Sequence, residues 1–375
     1  EFKESSGLAT LSTKPAVLVI GSEKKQSYIL SFRTAIKGVI PFEEALLIKG
    51  TSYIDDYSLE ELKKFSGIIL QGYSYHSKSK AWELLKKYVG EGGSLYIDTG
   101  WQFVNKDWGV GPDKDGKFTT ISLSEPSPVK RTLWGSVGNG WKGSILETET
   151  GKDLDPVNFG SLAWEDKGWG MALAKRDDLQ SWAEPVLTAG DKVIIARGNY
   201  GQGRVVWSGM NLFSHAYDKD NKEEYRLIIN IFKYLLPPNY IKEGQVLIDW
   251  NYPDRIELTL EKVPGEPSFL YWAETYTPNW KAYLYKGNRK ENLQIYRAGP
   301  GFKAIRLTDL SGGEKLILEH SIKKVLLISF GITLTTFLVL LVFIIDALMF
   351  NRALEKKCKN RLCRITKAVR WDEEE

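Results

Sequence analysis

Three residues in this sequence have side chains suited to acid–base or nucleophilic chemistry and follow apolar runs that predict strands. Asp98 and Thr99 come directly after the run Ser94 to Ile97, and His215 lies just beyond the run Arg204 to Ser208. In an open sheet of parallel strands, ligands bind beyond the carboxyl ends of the strands. A carboxylate, a hydroxyl and an imidazole that converge there, directly or through one water, could support hydrolysis or group transfer.

Further polar and aromatic side chains are expected at the same edge of the predicted sheet. These candidate contacts for a polar ligand are Tyr73, His76, Trp101 and Asn211. The alternative, which we favour, is that such residues satisfy backbone groups at strand ends, since a buried Asp or His commonly does only that. The sequence thus leaves open a small polar site and a purely structural cluster.

Tryptophans are frequent between Phe103 and Gly190, a segment that we interpret as an insertion. Two of them, Trp134 and Trp141, are candidate sugar contacts, because a pyranose ring stacks on an indole face while nearby polar groups bind its hydroxyls. The favoured alternative is aromatic packing within an irregular, helix-poor insertion.

Composition excludes several kinds of site. Both cysteines, Cys358 and Cys363, lie near the C-terminus, so the large preceding region has neither a cysteine nucleophile nor a thiolate metal ligand. Only three histidines occur, and none has the spacing of a metal site. Outside the last 25 residues, 43 basic residues nearly balance 42 acidic ones, which makes nucleic acid a poor candidate partner. The sequence predicts no metal and no cofactor.

The chain up to residue 238 alternates short apolar runs with helical patterns. Runs typical of buried parallel strands are 16–21, 45–48, 67–70 and 94–97. Amphipathic patterns predict helices at 59–65, 80–89 and 223–236, and a glycine turn at 199–203 predicts a hairpin over 192–208 that returns to the same sheet. This order predicts an α/β domain with a parallel sheet at 15–238, preceded by a linker at 1–14 and interrupted by the insertion at 103–190.

Two motifs of this domain resemble the class I glutamine amidotransferase-like fold, which is flavodoxin-like. They are GGSLYIDTGWQ, from Gly92 to Gln102, and YGQGRVVWSGMNLFSH, from Tyr200 to His215. In that family a nucleophile elbow follows a central strand and a histidine follows a late strand. Here the elbow reads Asp98-Thr99-Gly100 without a cysteine, so glutaminase activity is not expected, although His215 stands near the position of the family's catalytic histidine.

The region 241–320 changes to a period of two and predicts a small β-sandwich. Strands are expected at 256–260, 268–276, 281–285, 293–296, 303–307 and 315–319, separated by Pro/Gly/Asn turns. The motifs TPNWKAYL and IYRAGPGFKAIRL resemble the C-terminal β-domain of multi-pass membrane proteins of the glycosyltransferase-C-like type, including those called 6-pyruvoyl-tetrahydropterin-synthase-related. This resemblance implies that the chain is the C-terminal portion of a longer polypeptide; a removed signal peptide is the other explanation of a first residue that is not Met.

A run of 21 uncharged residues, Val325 to Ile345, is long enough to cross a bilayer as a helix. We predict a transmembrane helix at 323–350 and a basic tail at 351–375. Six Lys or Arg residues follow the run within twenty positions, while only Lys323 and Lys324 lie immediately before it, so the positive-inside rule places the tail in the cytoplasm and the bulk of the chain outside. Hydroxyls in the span could contact another helix or bond their own backbone, and the second is favoured; they are Ser329, Thr333 and Thr336.

Two functions compete on these observations. The first is a non-catalytic extracytoplasmic module of a membrane protein, which handles surface glycans or lipid-linked sugars or assembles with partner subunits. The second is a hydrolase or transferase that uses Asp98, Thr99 and His215. The missing cysteine and the lack of a serine elbow favour the first.

Overall fold

The computed structural model of the chain describes residues 9–22, 45–100, 120–137, 146–148, 169–189, 191–220, 222–236, 241–265, 267–321 and 323–371. The strands within these ranges are β1 (Ala9–Ser12), β2 (Ala16–Ile20), β3 (Leu46–Lys49), β4 (Gly67–Gln71), β5 (Ser94–Asp98), β6 (Thr120–Ser122), β7 (Arg131–Val137), β8 (Leu146–Thr148), β9 (Trp169–Lys175), β10 (Ala183–Ala189), β11 (Lys192–Tyr200), β12 (Gly203–Ser208), β13 (Gln245–Tyr252), β14 (Arg255–Lys262), β15 (Ser268–Trp272), β16 (Trp280–Lys286), β17 (Arg289–Leu293), β18 (Ile295–Ala298), β19 (Phe302–Leu307) and β20 (Glu314–His320). The α-helices are α1 (Leu59–Leu62), α2 (Lys78–Gly90), α3 (Leu212–Lys219), α4 (Lys222–Leu235) and α5 (Lys323–Trp371). The chain divides into two compact units between Glu319 and His320.

A large mixed sheet organises the first unit. Its central strands are parallel and follow the order β3-β2-β4-β5-β12, and β11 then adds antiparallel to β12. These strands read as unbroken apolar runs because both faces of the sheet are covered. Helices α1 and α2 contribute to the core cluster on one face, and α3 and α4 contribute to the cluster on the other. The predicted α/β arrangement and the returning hairpin are therefore present.

Three segments depart from the sequence prediction in this unit. The predicted linker at 1–14 contains strand β1, which pairs antiparallel with β15, because its leucine at position 11 is buried in the core shared with the later strands. The helix predicted at 59–65 ends at Leu62, and Lys63 is its C-cap. The insertion contributes strands β9 and β10, which pair with β11 and extend the sheet.

The region after residue 241 forms two facing β layers. One is a five-stranded sheet in the order β13-β14-β20-β16-β17, and the other consists of β15, β19 and β18 together with β1. The second layer is continuous with the large sheet, since Ala298 of β18 pairs with Ile48 of β3. A shared core that includes Leu258, Trp272 and Leu316 fills the space between the layers.

Strand boundaries in this region also differ from the prediction. Strand β13 was not expected, because its outward residues are as apolar as its inward ones and hide the period of two. The strand predicted at 293–296 is interrupted at Gln294, where β17 ends and β18 begins, and the one predicted at 268–276 ends at Trp272. Pattern alone cannot place such breaks because both neighbours remain extended.

A lysine is enclosed between the two layers. The Lys303 side chain has no exposed surface, and its Nζ lies 2.6 Å from Oε2 of Glu274 and 4.2 Å from the ring centre of Trp280. The indole N–H of Trp272 donates to the same carboxylate oxygen at 3.1 Å. Burial lowers the pKa of Lys303, and the hydrogen bond that its ammonium donates to Glu274 opposes that shift.

Replacing Glu274 with Ala is expected to lower the free energy of unfolding by about 2 kcal/mol, since it leaves a buried ammonium without its counter-charge while Glu274 itself is partly screened by solvent. Urea unfolding of the full chain in detergent measures the loss. The double variant Glu274→Ala/Lys303→Met removes the ammonium as well and is expected to recover the part due to the charge. A double variant no more stable than the single one would contradict this account.

The second unit contains helix α5, which runs unbroken for 49 residues. The predicted span and the predicted tail are thus parts of one helix in the described residues. Its segment Ile328–Leu362 is long and apolar enough to cross a membrane and exposes its apolar side chains, with Phe330 66% and Phe343 67% exposed. The hydroxyls of Thr333 and Thr336 donate to the carbonyls of Ser329 and Ile332 at 2.8 and 2.9 Å, as the favoured alternative for these residues predicts.

Candidate functional site at the strand ends

Backbone hydrogen bonds join the loops that follow the carboxyl ends of the parallel strands. The N–H of Gly21, after β2, donates to the carbonyl of Thr51, and the N–H of Ser22 donates to the carbonyl of Gly72, both at 3.0 Å. Thr99, after β5, donates its N–H to the carbonyl of Ser208 at 2.9 Å. The edge where a ligand would bind in an open sheet is therefore closely joined in the described part of the chain.

Asp98 is the centre of this edge. Its Oδ1 accepts the N–H groups of Gly100 at 2.9 Å and Asn211 at 3.0 Å. Its Oδ2 accepts the N–H of Leu212 and the hydroxyl of Tyr96, both at 3.0 Å. The carboxylate thus satisfies the first amide groups of α3, which would otherwise be orphaned donors at a helix start.

The ionisation of Asp98 is perturbed by its surroundings. The side chain is fully buried, and burial raises its pKa to about 6 although the surrounding hydrogen bonds lower it. Burial and the neighbouring Asp98 carboxyl raise the pKa of Tyr96 well above its usual value. A carboxyl with a pKa near neutrality is a property of catalytic acids and bases, and also of buried structural carboxyls.

Close backbone contacts hold the loop after β5 and the loop after β12 together around Asp98. A Cβ atom on Gly100 would lie 2.1 Å from the backbone nitrogen of Asn211, and one on Gly209 would lie 1.9 Å from the carbonyl oxygen of Ala172. Asn211 itself has a left-handed backbone with φ of 54°. Only glycine fits at these approaches, so the loops are shaped for each other rather than for an open cleft.

Thr99 and Asn211 are also used inside the framework. The Thr99 hydroxyl donates to the carbonyl of Ser208 at 3.2 Å and accepts the indole N–H of Trp207 at 2.9 Å. The Oδ1 of Asn211 accepts a long hydrogen bond of 3.4 Å from Nε2 of Gln71, and its Nδ2 is buried without a hydrogen-bond partner. Both side chains are sealed from solvent.

His215 lies one turn into α3 and points to the neighbouring helix. Its Nδ1 lies 2.6 Å from Oε1 of Glu224 in α4, and both side chains are buried. Asp98 and His215 lie on neighbouring segments of the fold, but the hydrogen bonds of the three candidate residues go to other groups. Asp98 accepts from backbone amides and Tyr96, and Thr99 binds Ser208 and Trp207. The pair His215–Glu224 joins α3 to α4.

The remaining candidate residues are dispersed. Tyr73 is buried and packs edge-on against Trp82, with ring centres 6.3 Å apart. His76 is on the surface, where its Nε2 lies 3.1 Å from Asp56 and its ring stacks on Tyr53. Trp101 and Trp141 lie outside the described residues, and for Trp134 the structure describes the backbone, within β7. The structure does not gather the sugar candidates and the strand-end candidates into one described site.

Several partners of these residues were not singled out in the sequence. Tyr96 binds Asp98, Gln71 binds Asn211, and Glu224 binds His215. Gln71 ends an otherwise apolar run, and Glu224 interrupts the apolar face of an amphipathic helix, so a polar residue in an apolar context was the available signal. No group of three or more metal-ligating side chains occurs among the described residues.

A surface cavity of about 640 Å³ lies away from Asp98, beside helix α2. Its lining carries both signs of charge and consists of Asp55, Tyr57, Leu59, Ser79, Lys80, Glu83, Leu84 and Lys87. Asp55 accepts the N–H groups of His76 and Ser77 at 2.8 and 2.7 Å and so fixes the backbone just before α2. This carboxylate is therefore occupied by the framework too.

Comparison with known families finds one match, over residues 40–104, to a family described as a domain of unknown function, DUF8560. The match runs from the segment before β3 to just past Asp98 and covers a minority of the chain. No curated protein matches the sequence.

Solved structures give distant likenesses only. A cytoplasmic protein of Salmonella typhimurium LT2 is 15% identical, with a TM-score of 0.40 over 59% of this chain and 99% of that one. A protein of Parabacteroides merdae described as ThuA-like is 11% identical, with a TM-score of 0.33 over 60% and 90% of the two chains. A β-galactosidase of Bacillus circulans is 10% identical, with a TM-score of 0.32 over 83% and 42%. Likeness at this level identifies neither a family nor a function.

Proposed function

We propose that this chain is a non-catalytic extracytoplasmic module of a membrane protein, held by α5 in the bilayer and used in assembly with partner subunits or in surface-glycan or lipid-linked sugar handling. The observation that carries the proposal is the exposed apolar segment Ile328–Leu362, which follows directly on a compact folded unit. Such an exposed apolar surface is stable in lipid and not in water. Basic residues after the uncharged run Val325–Ile345, including Lys356 and Lys357, support a cytoplasmic tail.

The strand order supports the finer fold assignment that belongs to this proposal. Numbered along the chain, the parallel strands β3-β2-β4-β5-β12 follow the order 2-1-3-4-5 of flavodoxin-like sheets. We assign the domain to the amidotransferase-like class on that order and on the elbow position, which holds Asp98 in place of a cysteine nucleophile. The motifs of the β layers resemble the C-terminal domain of multi-pass membrane proteins, and in this proposal the chain is the C-terminal part of such a protein.

A hydrolase or transferase at the strand ends is the second candidate, because the pKa of Asp98 is raised to about 6. All four hydrogen bonds of Asp98 go to the framework, however, and Asp98, Thr99 and His215 are buried. A panel of chromogenic esters and glycosides, assayed at pH 5 and pH 7, tests this candidate. Turnover that Asp98→Asn and His215→Gln both abolish, with folding retained, would replace the non-catalytic proposal.

The membrane anchor makes a direct prediction. The full chain is expected to remain in membranes after alkaline carbonate extraction, and the double variant Leu334→Arg/Leu338→Arg is expected to be released, since each Arg at a span centre costs about 3 kcal/mol. Leu362→Arg, which lies beyond the uncharged run Val325–Ile345 and among basic residues, is the matched control and should stay in the membrane. Extraction of the unmodified chain would contradict the proposal.

The orientation is tested separately with the two native cysteines. Cys358, which is exposed on α5, should react with a membrane-impermeant maleimide only after the cells are permeabilised. A cysteine introduced by Gln245→Cys, in a background without native cysteines, should react in intact cells. The opposite pattern would place the folded unit in the cytoplasm and remove the extracytoplasmic part of the proposal.

A further inference from the structure

The five-stranded sheet has aromatic side chains on the face that points away from the core. Trp250 and Tyr252 of β13 are 48% and 52% exposed, and their rings stack with centres 4.5 Å apart. Their cross-strand partners are Glu257 and Arg255, which alternate with the core-facing residues of β14. A stacked Trp–Tyr pair that is half exposed is costly in water unless another surface covers it.

The position of this pair within the sheet is informative. Tyr252 pairs with Arg255, and Arg255 pairs with Glu319, so the end of β13 lies level with the end of β20. We call this the exit end of the sheet, because after His320 the chain continues into α5, which begins at Lys323. The aromatic pair therefore lies at the end of the sheet from which the chain enters its apolar helix.

We propose that Trp250 and Tyr252 form a membrane-facing patch at the exit end, which seats the folded unit at the headgroup region of a bilayer. Trp and Tyr favour the interface between lipid and water because their rings are apolar and their N–H and O–H groups remain hydrated. The inference rests on the proposed membrane anchor, which brings this end of the chain to a bilayer.

The observations favour a bilayer over a glycan or a protein partner for one reason. The patch shares its end of the sheet with the chain's exit, whereas the equally exposed Leu247, 49% exposed on the same strand, lies toward the opposite end. Gln245 and Tyr252 are about 23 Å apart along the strand, given a rise of about 3.3 Å per residue. The two ends of β13 therefore provide a test site and a control site in one element.

The experiment uses the full chain in nanodiscs that contain anionic lipid, with Cys358 and Cys363 replaced by Ser. A fluorophore is attached after Asp254→Cys, in the turn beside the patch, or after Gln245→Cys, at the far end of the strand. Nitroxide-labelled lipid headgroups should quench the first probe about threefold more than the second if aromatic anchors hold the exit end at the interface. Adding Trp250→Ser/Tyr252→Ser should reduce quenching at position 254 to the control level, and adding Leu247→Ser should not.

Two further arms separate the possible outcomes. Quenching at position 254 should be similar in anionic and zwitterionic nanodiscs, since the aromatic pair binds the interface itself rather than a charged headgroup. Equal or absent quenching at both probe positions overturns the inference, and so does protection of the Asp254 probe by a soluble glycan or by self-association without quenching by lipid. Vesicle flotation distinguishes the two levels of proposal: a chain that does not float contradicts the anchor itself, whereas a floating chain without quenching contradicts only the patch.

Discussion

Replacing Asp98 with Ala is expected to lower the free energy of unfolding of the full chain by about 4 kcal/mol at pH 7. The change leaves the N–H groups of Gly100, Asn211 and Leu212 and the hydroxyl of Tyr96 without their acceptor in a fully buried place. Each buried donor left without a partner costs about 1–3 kcal/mol, and partial entry of water reduces the sum. Urea unfolding in detergent, followed by tryptophan fluorescence, measures the loss.

Two control variants make the Asp98 result specific. Asp98→Asn keeps the shape and one acceptor oxygen, so it is expected to cost about half as much as Asp98→Ala. Glu60→Ala removes a carboxylate that is 82% exposed and pairs with Lys63 on the surface, and it should change stability by less than about 0.5 kcal/mol. If Asp98→Ala were as mild as Glu60→Ala, the carboxylate would not hold the loops, and a role in chemistry would become the better explanation.

Stability is expected to fall as the pH rises from about 4 to about 6, an unusual direction for a carboxyl group. Burial raises the pKa of Asp98 from 3.8 to about 6, so between these values the folded chain binds more protons than the unfolded chain. Folding is therefore favoured by the protonated side chain and loses about 3 kcal/mol of that contribution as Asp98 ionises. Above about pH 6 the contribution is constant.

The difference between wild type and Asp98→Asn isolates this effect. The amide does not titrate, so its free energy of unfolding should lack the decline between about pH 4 and pH 6. Carboxyls with a lowered pKa behave oppositely: the N–H and hydroxyl of Ser58 lower the pKa of Glu61, and the stability that Glu61 contributes is lost as the pH falls from its ordinary pKa of 4.5 through the lowered one. Parallel pH profiles for the wild type and the Asn variant would show that Asp98 has an unperturbed pKa.

The two Asp98 predictions bear on function as well as on stability. A carboxyl that titrates near neutrality could serve as a general acid or base, yet its oxygens already accept four framework donors. A large stability loss in Asp98→Ala, together with the predicted pH profile, would assign that carboxyl to the architecture of the sheet edge. The proposed non-catalytic function then rests on surfaces rather than on this cluster.

Local sequence patterns were sufficient for much of the fold. Apolar runs of four to six residues predicted β2, β3, β4 and β5 to within one residue at each end, because strands buried on both faces leave an unbroken apolar signal. The glycine turn between β11 and β12 predicted their hairpin, since few residues other than glycine adopt the φ of 58° seen at Gly201. The apolar run from Val325 predicted the long C-terminal helix for the same kind of local reason.

Where a local sequence pattern was compatible with two different structures, the prediction was wrong or incomplete. Strand β1 lies in a segment with the composition of a linker and becomes a strand only because β15 offers its edge. The β region was expected to form a separate sandwich, but β18 pairs with β3, so one of its layers continues the large sheet. Pairing between strands about 250 residues apart depends on the arrangement of the whole unit, which no short window of sequence contains.

Residue type and short-range periodicity were enough to predict the central parallel strands, the membrane-length helix and the absence of a cysteine nucleophile after β5. The binding partners of Asp98, Thr99 and His215 became known from the folded chain alone. It placed the amides of Asn211 and Leu212 on a carboxylate more than 100 residues earlier and Glu224 against His215, and it put Trp250 and Tyr252 at the exit end. The partners of a buried polar group are set by packing across the sheet, and packing depends on long-range geometry rather than on neighbouring residues.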